Sequence, residues 1–307
     1  MISIKSVSKS YGAVKALSDI NIEVSKGEIF GLIGPDGAGK TTLIRILTTL
    51  LLPDTGSAQV MDKDVVNDFR ALRREFGYMP GRFSLYEDLT VKENLELFAS
   101  IFGTTIEENY YLIEDIYKQI EPFKDRRAGK LSGGMKQKLA LSCAMIHKPE
   151  VIFLDEPTTG VDPVSRKEFW QMLKKLKSHG ITIFVSTPYM DEASLCDRIA
   201  LIQDGHIMSI DTPTKIVHQF DGKLYAIISD KKHGLLKDLR DFPSSRSVFL
   251  FGSHIHYTDR NEKFEKIELN NYLKQKGHNK IEILEIPPVI EDCFLALMGN
   301  LNDSIHA

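Results

Sequence analysis

The stretch Gly34-Pro35-Asp36-Gly37-Ala38-Gly39-Lys40-Thr41 decides the fold of this 307-residue chain. It follows the apolar run EIFGLIG and opens into TTLIRILTTLL, whose leucines and isoleucines recur at helical spacing. Strand, glycine-rich loop and helix form the context that G-x-x-x-x-G-K-[ST] requires. Backbone N–H groups there surround phosphate oxygens, while Lys40 neutralises phosphate and the Thr41 hydroxyl ligates Mg²⁺. A glycine-rich turn with an unrelated lysine is the alternative, and the flanks disfavour it.

A second motif ends in two adjacent carboxylates. The run 151–154 (VIFL) is continuously apolar, as in a buried central strand, and Asp155 and Glu156 follow it. Open α/β sheets bind ligands at this end of their strands. Asp155 is expected to hold Mg²⁺ through water, and Glu156 to accept a proton from the attacking water. An acidic pair alone is more often a solvated loop or a helix cap, but the upstream phosphate loop favours the catalytic interpretation.

The most specific motif is Leu131-Ser132-Gly133-Gly134-Met135-Lys136-Gln137. Ser132 stands at the start of a predicted helix, where backbone N–H groups receive an anion, and the two glycines allow another surface to approach. By itself this pattern also fits an ordinary glycine-containing helix start. Together with the other two motifs it resembles the signature of ATP-binding cassette (ABC) proteins. The resemblance implies two cassettes paired head to tail around two ATP molecules, with this signature on the nucleotide of the partner.

The resemblance extends over residues 1 to about 215. Tyr11 resembles the aromatic residue that stacks on adenine, with a core or surface tyrosine as the alternative. The segment 159–162 (TGVD) resembles the loop that connects the two active sites, and 83–91 (FSLYEDLTV) stands where the family docks on a transmembrane subunit, although its aromatics also suit a helical core. The residues expected to bind ATP are Tyr11, Gly34, Pro35, Asp36, Gly37, Ala38, Gly39, Lys40, Thr41, Thr42, Ser132, Gly133, Gly134, Asp155 and Asp162. Thr41 and Asp155 are the expected Mg²⁺ ligands, and Glu156 is the expected catalytic residue.

Two positions depart from the family pattern near the γ-phosphate. Gly81 stands where the family usually has glutamine, and Pro188 where it usually has histidine, so neither supplies a side-chain hydrogen-bonding group. Asp36 also replaces a more usual asparagine. We therefore expect ATP binding at this site and regard its own hydrolysis as open. The pattern favours a heterodimer with a complete second cassette, while a homodimer is the competing interpretation.

The order of the motifs predicts an α/β fold: a P-loop NTPase of ABC type with an antiparallel β subdomain and an inserted helical subdomain at about 83–146. This domain is expected to span 1–217, followed by a small C-terminal α/β accessory domain at 218–307. The segment 287–297 (PPVIEDCFLAL) resembles the accessory domain of ABC-2 type multidrug exporters. A generic small appendage fits the pattern as well.

Composition narrows the function further. A net charge of -3 and a pI near 6.3 supply no excess positive charge for binding a nucleic-acid backbone. Three scattered cysteines indicate neither a disulfide framework nor a zinc site. No apolar run reaches the roughly 20 residues of a membrane helix, so we expect that the chain does not cross a bilayer alone. The resemblance implies a cytoplasmic chain that transmembrane permease subunits hold on the inner face of the membrane. The rival functions are a soluble ABC ATPase outside transport and a regulatory cassette that binds ATP with little turnover.

Overall fold

A computed structural model describes residues 1–261 and 264–305, and for residues 232, 233 and 299–305 it describes the backbone alone. The predicted accessory domain thus includes residues 262, 263, 306 and 307, which lie outside the described residues. The chain divides into two compact units, Met1–Pro213 and Thr214–Ala307. Within the described residues, no helix combines the length and the apolar character needed to span a membrane.

The first unit contains ten strands and six α-helices among its described residues. In chain order they are β1 (Ile2–Tyr11), β2 (Val14–Val24), β3 (Ile29–Ile33), α1 (Lys40–Leu47), β4 (Thr55–Val60), β5 (Lys63–Asp64), α2 (Phe69–Leu72), β6 (Phe76–Met79), α3 (Val91–Ile101), α4 (Ile106–Tyr117), α5 (Gly133–Met145), β7 (Val151–Asp155), α6 (Pro163–Ser178), β8 (Thr182–Thr187), β9 (Arg198–Gln203) and β10 (His206–Asp211), with 3₁₀ turns at Glu121–Phe123, Ala128–Lys130 and Met190–Leu195.

The central sheet has six strands in the order β10-β9-β3-β8-β7-β6. The five strands from β9 to β6 run parallel, and β10 pairs with β9 in an antiparallel hairpin. All residues of β3, β7 and β8 are buried, which explains the apolar runs within them, such as 151–154 and 183–185. Because parallel strands end at one edge, the segments that follow β3, β6, β7 and β8 meet there.

An antiparallel sheet in the order β2-β1-β4-β5 forms a second layer. Its alternating side chains place one apolar face inward, where Ile2, Ile4 and Leu17 join one core cluster with Phe30 of β3 and Leu43 of α1. This layer therefore packs on the helix that follows the phosphate loop. The fold class predicted from the sequence is confirmed, including the antiparallel layer and the helices α3 to α5 inserted between β6 and β7.

Two of the three inserted helices, α3 and α4, begin with a capping box. Before α3, the Thr90 hydroxyl accepts a hydrogen bond from the Glu93 N–H at 3.1 Å, and the Glu93 carboxylate accepts one from the Thr90 N–H at 2.7 Å. Thr105 and Glu108 repeat the arrangement before α4. These bonds satisfy N–H groups that have no partner within the helix.

Replacing Thr90 by alanine is expected to lower the free energy of unfolding by about 1 kcal/mol, because the cap hydroxyl is lost. Denaturant titration measures this as a lower midpoint with an unchanged slope. Thr90→Ser keeps the hydroxyl and should retain most of the stability. An equal loss in both variants would show that the hydroxyl is not the stabilising group.

The second unit is a four-stranded antiparallel sheet in the order β12-β13-β11-β14. The remaining elements are α7 (Pro213–His218), β11 (Leu224–Ile228), α8 (Lys232–Arg240), β12 (Ser245–Phe251), β13 (His254–Asp259), α9 (Lys266–Gln275), β14 (Glu282–Ile286) and α10 (Ile290–Ile305). Its core joins Ile227 and Tyr257 of the sheet to Leu235 of α8 and Leu269 of α9. The three cysteines of the chain, one of them in α10, are all free and buried.

Candidate functional site

The phosphate loop joins β3 to α1 in a conformation that requires glycine. Gly39 adopts a φ of +107°, and a Cβ built there would lie 2.5 Å from the carbonyl oxygen of Ala16. A Cβ at Gly34 would lie 2.2 Å from the carbonyl oxygen of Ile202. Neighbouring backbone thus fills the space that side chains would need, so the loop keeps its shape through close packing.

The Lys40 side chain is almost completely buried in this loop, with 3% of it exposed. Its Nζ donates to the carbonyl oxygens of Gly34 at 2.8 Å and Pro35 at 2.9 Å, and lies 3.1 Å from the Glu156 carboxylate. The exposed Asp36 carboxylate is farther away, at 3.9 Å. A cation held in this way is pre-positioned to neutralise an anion in the loop.

Three hydroxyl and carboxylate side chains meet at the ends of β7, β8 and the start of α1. Asp155 Oδ1 accepts hydrogen bonds from the Thr41 hydroxyl at 3.2 Å and the Ser186 hydroxyl at 2.7 Å. The described residues contain no cluster of three or more His, Cys, Asp or Glu side chains that could hold a metal. One carboxylate and one hydroxyl nevertheless fit Mg²⁺, which commonly takes its other oxygens from water and substrate phosphates.

Glu156 has an unusual backbone, with a φ of +50°. Left-handed conformations are uncommon for residues other than glycine and often occur at functional sites. The Glu156 N–H donates to the carbonyl and hydroxyl oxygens of Ser186 at 3.1 and 3.0 Å, and its carbonyl accepts from the Thr159 N–H at 3.2 Å. These bonds hold the carboxylate toward Lys40.

The two departures from the family pattern lie at this same edge of the sheet. A Cβ at Gly81 would lie 3.0 Å from the Asp155 carbonyl oxygen and 3.9 Å from its carboxyl carbon. Pro188 directly follows Thr187, whose carbonyl oxygen accepts a hydrogen bond from the Gly34 N–H at 3.3 Å. A side chain at 81 would therefore start beside the candidate metal ligand, and glycine places none there.

The signature segment 132–134 begins α5. The Ser132 hydroxyl accepts a hydrogen bond from the Met135 N–H at 3.4 Å and caps the helix. Gly134 faces α6, where an added Cβ would lie 2.6 Å from the Ser165 hydroxyl oxygen, whereas an added Cβ at Gly133 would have only the Gly160 carbonyl oxygen within 4 Å, at 3.6 Å. The segment is thus packed against 160–165, and none of its described contacts reaches the phosphate loop of the same chain.

Asp162 and Tyr11 lie apart from the phosphate loop in their described contacts. The Asp162 carboxylate caps α6 by accepting hydrogen bonds from the N–H groups of Val164 at 3.1 Å and Ser165 at 3.0 Å. These bonds, that of Ser165 foremost, hold the pKa of Asp162 below its ordinary value. Tyr11 ends β1 and is 47% exposed, so its ring is open to a ligand.

Ser186 is the site residue that sequence reasoning missed. It orients Asp155 through its hydroxyl and Glu156 through both of its oxygens. The signal in the sequence is a serine directly after the apolar run 183–185, near the carboxyl end of a buried strand.

Comparison with known proteins agrees with this geometry. Residues 17–159 match the ABC transporter family. The chain is 38% identical over 293 residues to the "Probable multidrug ABC transporter ATP-binding protein YbhF" of Escherichia coli (strain K12), which covers 94% of this chain and 50% of the relative. The chain therefore spans about half the length of that relative. It is 32% identical over 302 residues to the "Nod factor export ATP-binding protein I" of Rhizobium sp. (strain N33), with 97% of each chain covered.

Solved structures give the same assignment. A dimeric post-hydrolysis structure of the ATP-binding cassette MJ0796 bound to ADP and Pi superposes with a TM-score of 0.63 at 28% identity, covering 69% of this chain and 98% of that chain. A structure of an ATP-binding subunit of an ABC transporter gives a TM-score of 0.65 at 29% identity, covering 72% and 93%. The chain belongs to the ATP-binding proteins of ABC transporters, a family whose activity is ATP hydrolysis.

Proposed function

We propose that this chain is the ATP-binding and ATP-hydrolysing subunit of an exporter of the ABC-2 type, and that it drives transport by pairing with a second cassette around ATP. The observation that carries the proposal is the meeting of Lys40, Thr41, Asp155 and Glu156 at one sheet edge. Relatives named for multidrug transport and for Nod factor export support the exporter assignment.

Each side chain has a distinct part in the proposed reaction. Lys40 binds the β- and γ-phosphates, and Tyr11 offers a face on which adenine stacks. Thr41 and Asp155 would hold Mg²⁺, which would supply charge neutralisation for phosphoryl transfer. Glu156 accepts the proton of the attacking water, and Ser186 keeps both carboxylates in position through its hydrogen bonds.

The proposed pair is asymmetric. At this chain's own site, Gly81 places no side chain beside Asp155, and Pro188 has neither a side-chain donor nor an N–H. At the other site the chain contributes only its signature segment, which matches the family pattern. We therefore infer a heterodimer in which hydrolysis takes place mainly at the partner's phosphate loop. A regulatory cassette that binds ATP with little turnover is the alternative that Gly81 and Pro188 also support.

The membrane subunits are proposed to dock on residues 83–91. Within this segment Leu85 is buried, while Tyr86 is 59% exposed and offers an aromatic contact surface. The fully buried Asn94 side chain shapes the segment: it accepts from the Tyr86 N–H at 3.0 Å and donates to the carbonyl oxygens of Tyr86 at 3.0 Å and Thr90 at 2.9 Å. Docking there would hold the chain at the inner face of the membrane.

Affinity purification of this chain from solubilised membranes tests the proposal. We expect transmembrane permease subunits and a second, complete cassette to co-purify with it, because the chain alone lacks a described spanning helix. A Tyr86→Asp variant should lose the permease subunits and keep the second cassette. Recovery of ribosomal or DNA-repair components in place of membrane subunits would favour a soluble ABC ATPase.

A further inference from the structure

A buried carboxylate outside the site, Glu192, joins two loops at the same edge of the central sheet. It lies in the 3₁₀ turn Met190–Leu195, and 2% of the residue is exposed. Its Oε2 accepts hydrogen bonds from the hydroxyls of Thr187 at 2.6 Å and Thr158 at 3.0 Å. Thr187 ends β8, and Thr158 lies between β7 and α6, so one oxygen atom connects both loops.

Arg166 of α6 binds the other oxygen of the same carboxylate. Its Nε and Nη2 lie 3.1 and 3.0 Å from Glu192 Oε1, and its guanidinium carbon lies 4.1 Å from the ring centroid of Tyr189. A buried carboxylate needs a charged partner and satisfied hydrogen bonds, and Glu192 has both. Loss of Arg166 or of the hydroxyl hydrogen bonds would therefore disturb both α6 and the loop after β8.

The contacts continue from this carboxylate in two directions. Toward the chain's own site, the Thr187 carbonyl accepts a hydrogen bond from the Gly34 N–H, and Thr158 stands two residues after Glu156. Toward the signature segment, Arg166 follows Ser165, whose side chain packs against Gly134. A network of packed and hydrogen-bonded side chains couples two sites only when both sites act on the same structural element.

We propose that Glu192 is a positioning residue that couples the loop carrying Pro188 to the segment 158–166, and through it to the signature segment. This inference rests on the proposed function, because the coupling connects this chain's own ATP site with the surface offered to the second cassette. Among the described contacts, the Glu192 carboxylate joins the Thr187 hydroxyl of this loop to Thr158 and Arg166. Arg166 adds contacts to Asp191 and to the Tyr189 ring.

Amide hydrogen exchange in the nucleotide-free chain tests the coupling. Thr158→Val keeps the branched shape and removes one hydroxyl from Glu192. We expect the Glu192 amide, which donates to the Tyr189 carbonyl at 3.2 Å in the other loop, to exchange at least about fivefold faster. Thr187→Val should reciprocally speed exchange of the Val161 amide, which donates to the Thr158 carbonyl at 3.2 Å. Glu192→Gln should speed both.

Thr182→Val is the matched control. Thr182 is also buried in β8, but its hydroxyl accepts from the Gly27 N–H at the opposite end of the strand, so both reporter amides should exchange as in the unchanged chain. The Ile183 amide reports global opening, and in the Thr158, Thr187 and Glu192 variants each reporter amide should speed more than Ile183 does. The coupling would be overturned if each threonine variant speeds amide exchange only in its own loop. It would also be overturned if a variant speeds exchange of the Ile183 amide as much as that of the reporter amide. Because no nucleotide is present, failure of ATP binding would count against the proposed function alone.

Discussion

Ser132→Arg is expected to abolish ATP hydrolysis by the pair that this chain forms with a complete second cassette. Ser132 is exposed at the start of α5, where the signature would meet the nucleotide held by the partner. An arginine there fills the space of the nucleotide and removes the helix cap. We expect a loss of at least about a hundredfold, the size found for losing one transition-state donor. Steady-state ATPase activity of the purified pair measures it.

Glu156→Gln in the same pair should leave most of the activity, because Gly81 and Pro188 already deprive this chain's own site of two γ-phosphate contacts. Ser178→Arg, at the exposed end of α6, controls for adding an arginine to the surface and should have no effect. If the isolated chain hydrolyses ATP rapidly and Glu156→Gln eliminates that activity, the asymmetric pair is wrong and a homodimer is favoured.

Lys40→Ala should weaken binding of Mg-ATP at least about tenfold, or about 1.4 kcal/mol, because a buried charge-assisted contact to phosphate is lost. Tyr11→Ala should weaken it less, since only a stacking face is removed. Calorimetric titration of the isolated chain measures both affinities. Lys92→Ala, which breaks an exposed ion pair with Glu96, is the matched control. Unchanged affinity in Lys40→Ala would refute the placement of ATP in the phosphate loop.

The fold class could be predicted from the sequence because its signals are local. Three buried strands contain short apolar runs, and the phosphate loop carries its glycines between a strand and a helix. Each pattern spans only a few residues, so no long-range contact is needed to recognise it. The position of the candidate site could then be predicted, because parallel strands bring their carboxyl ends to one edge of the sheet.

Sequence alone did not indicate the role of Ser186 or the burial of Glu192. Ser186 meets Asp155 across 31 residues, and Glu192 meets Thr158 across 34. A serine in a strand and a glutamate in an acidic turn have many possible partners along the chain. Which partner they meet depends on the order and register of β7 and β8.

The sequence by itself determined the chemistry of this protein: a loop for phosphate, two carboxylates after a strand, a signature at a helix start, and no hydrogen-bonding side chain at 81 or 188. Only the tertiary structure decided which groups act on one another. It placed Gly81 against Asp155, Gly134 against Ser165 and Thr187 beside Gly34. The physical reason is that these contacts join segments far apart in sequence, and they arise only when the buried strands pair in one register.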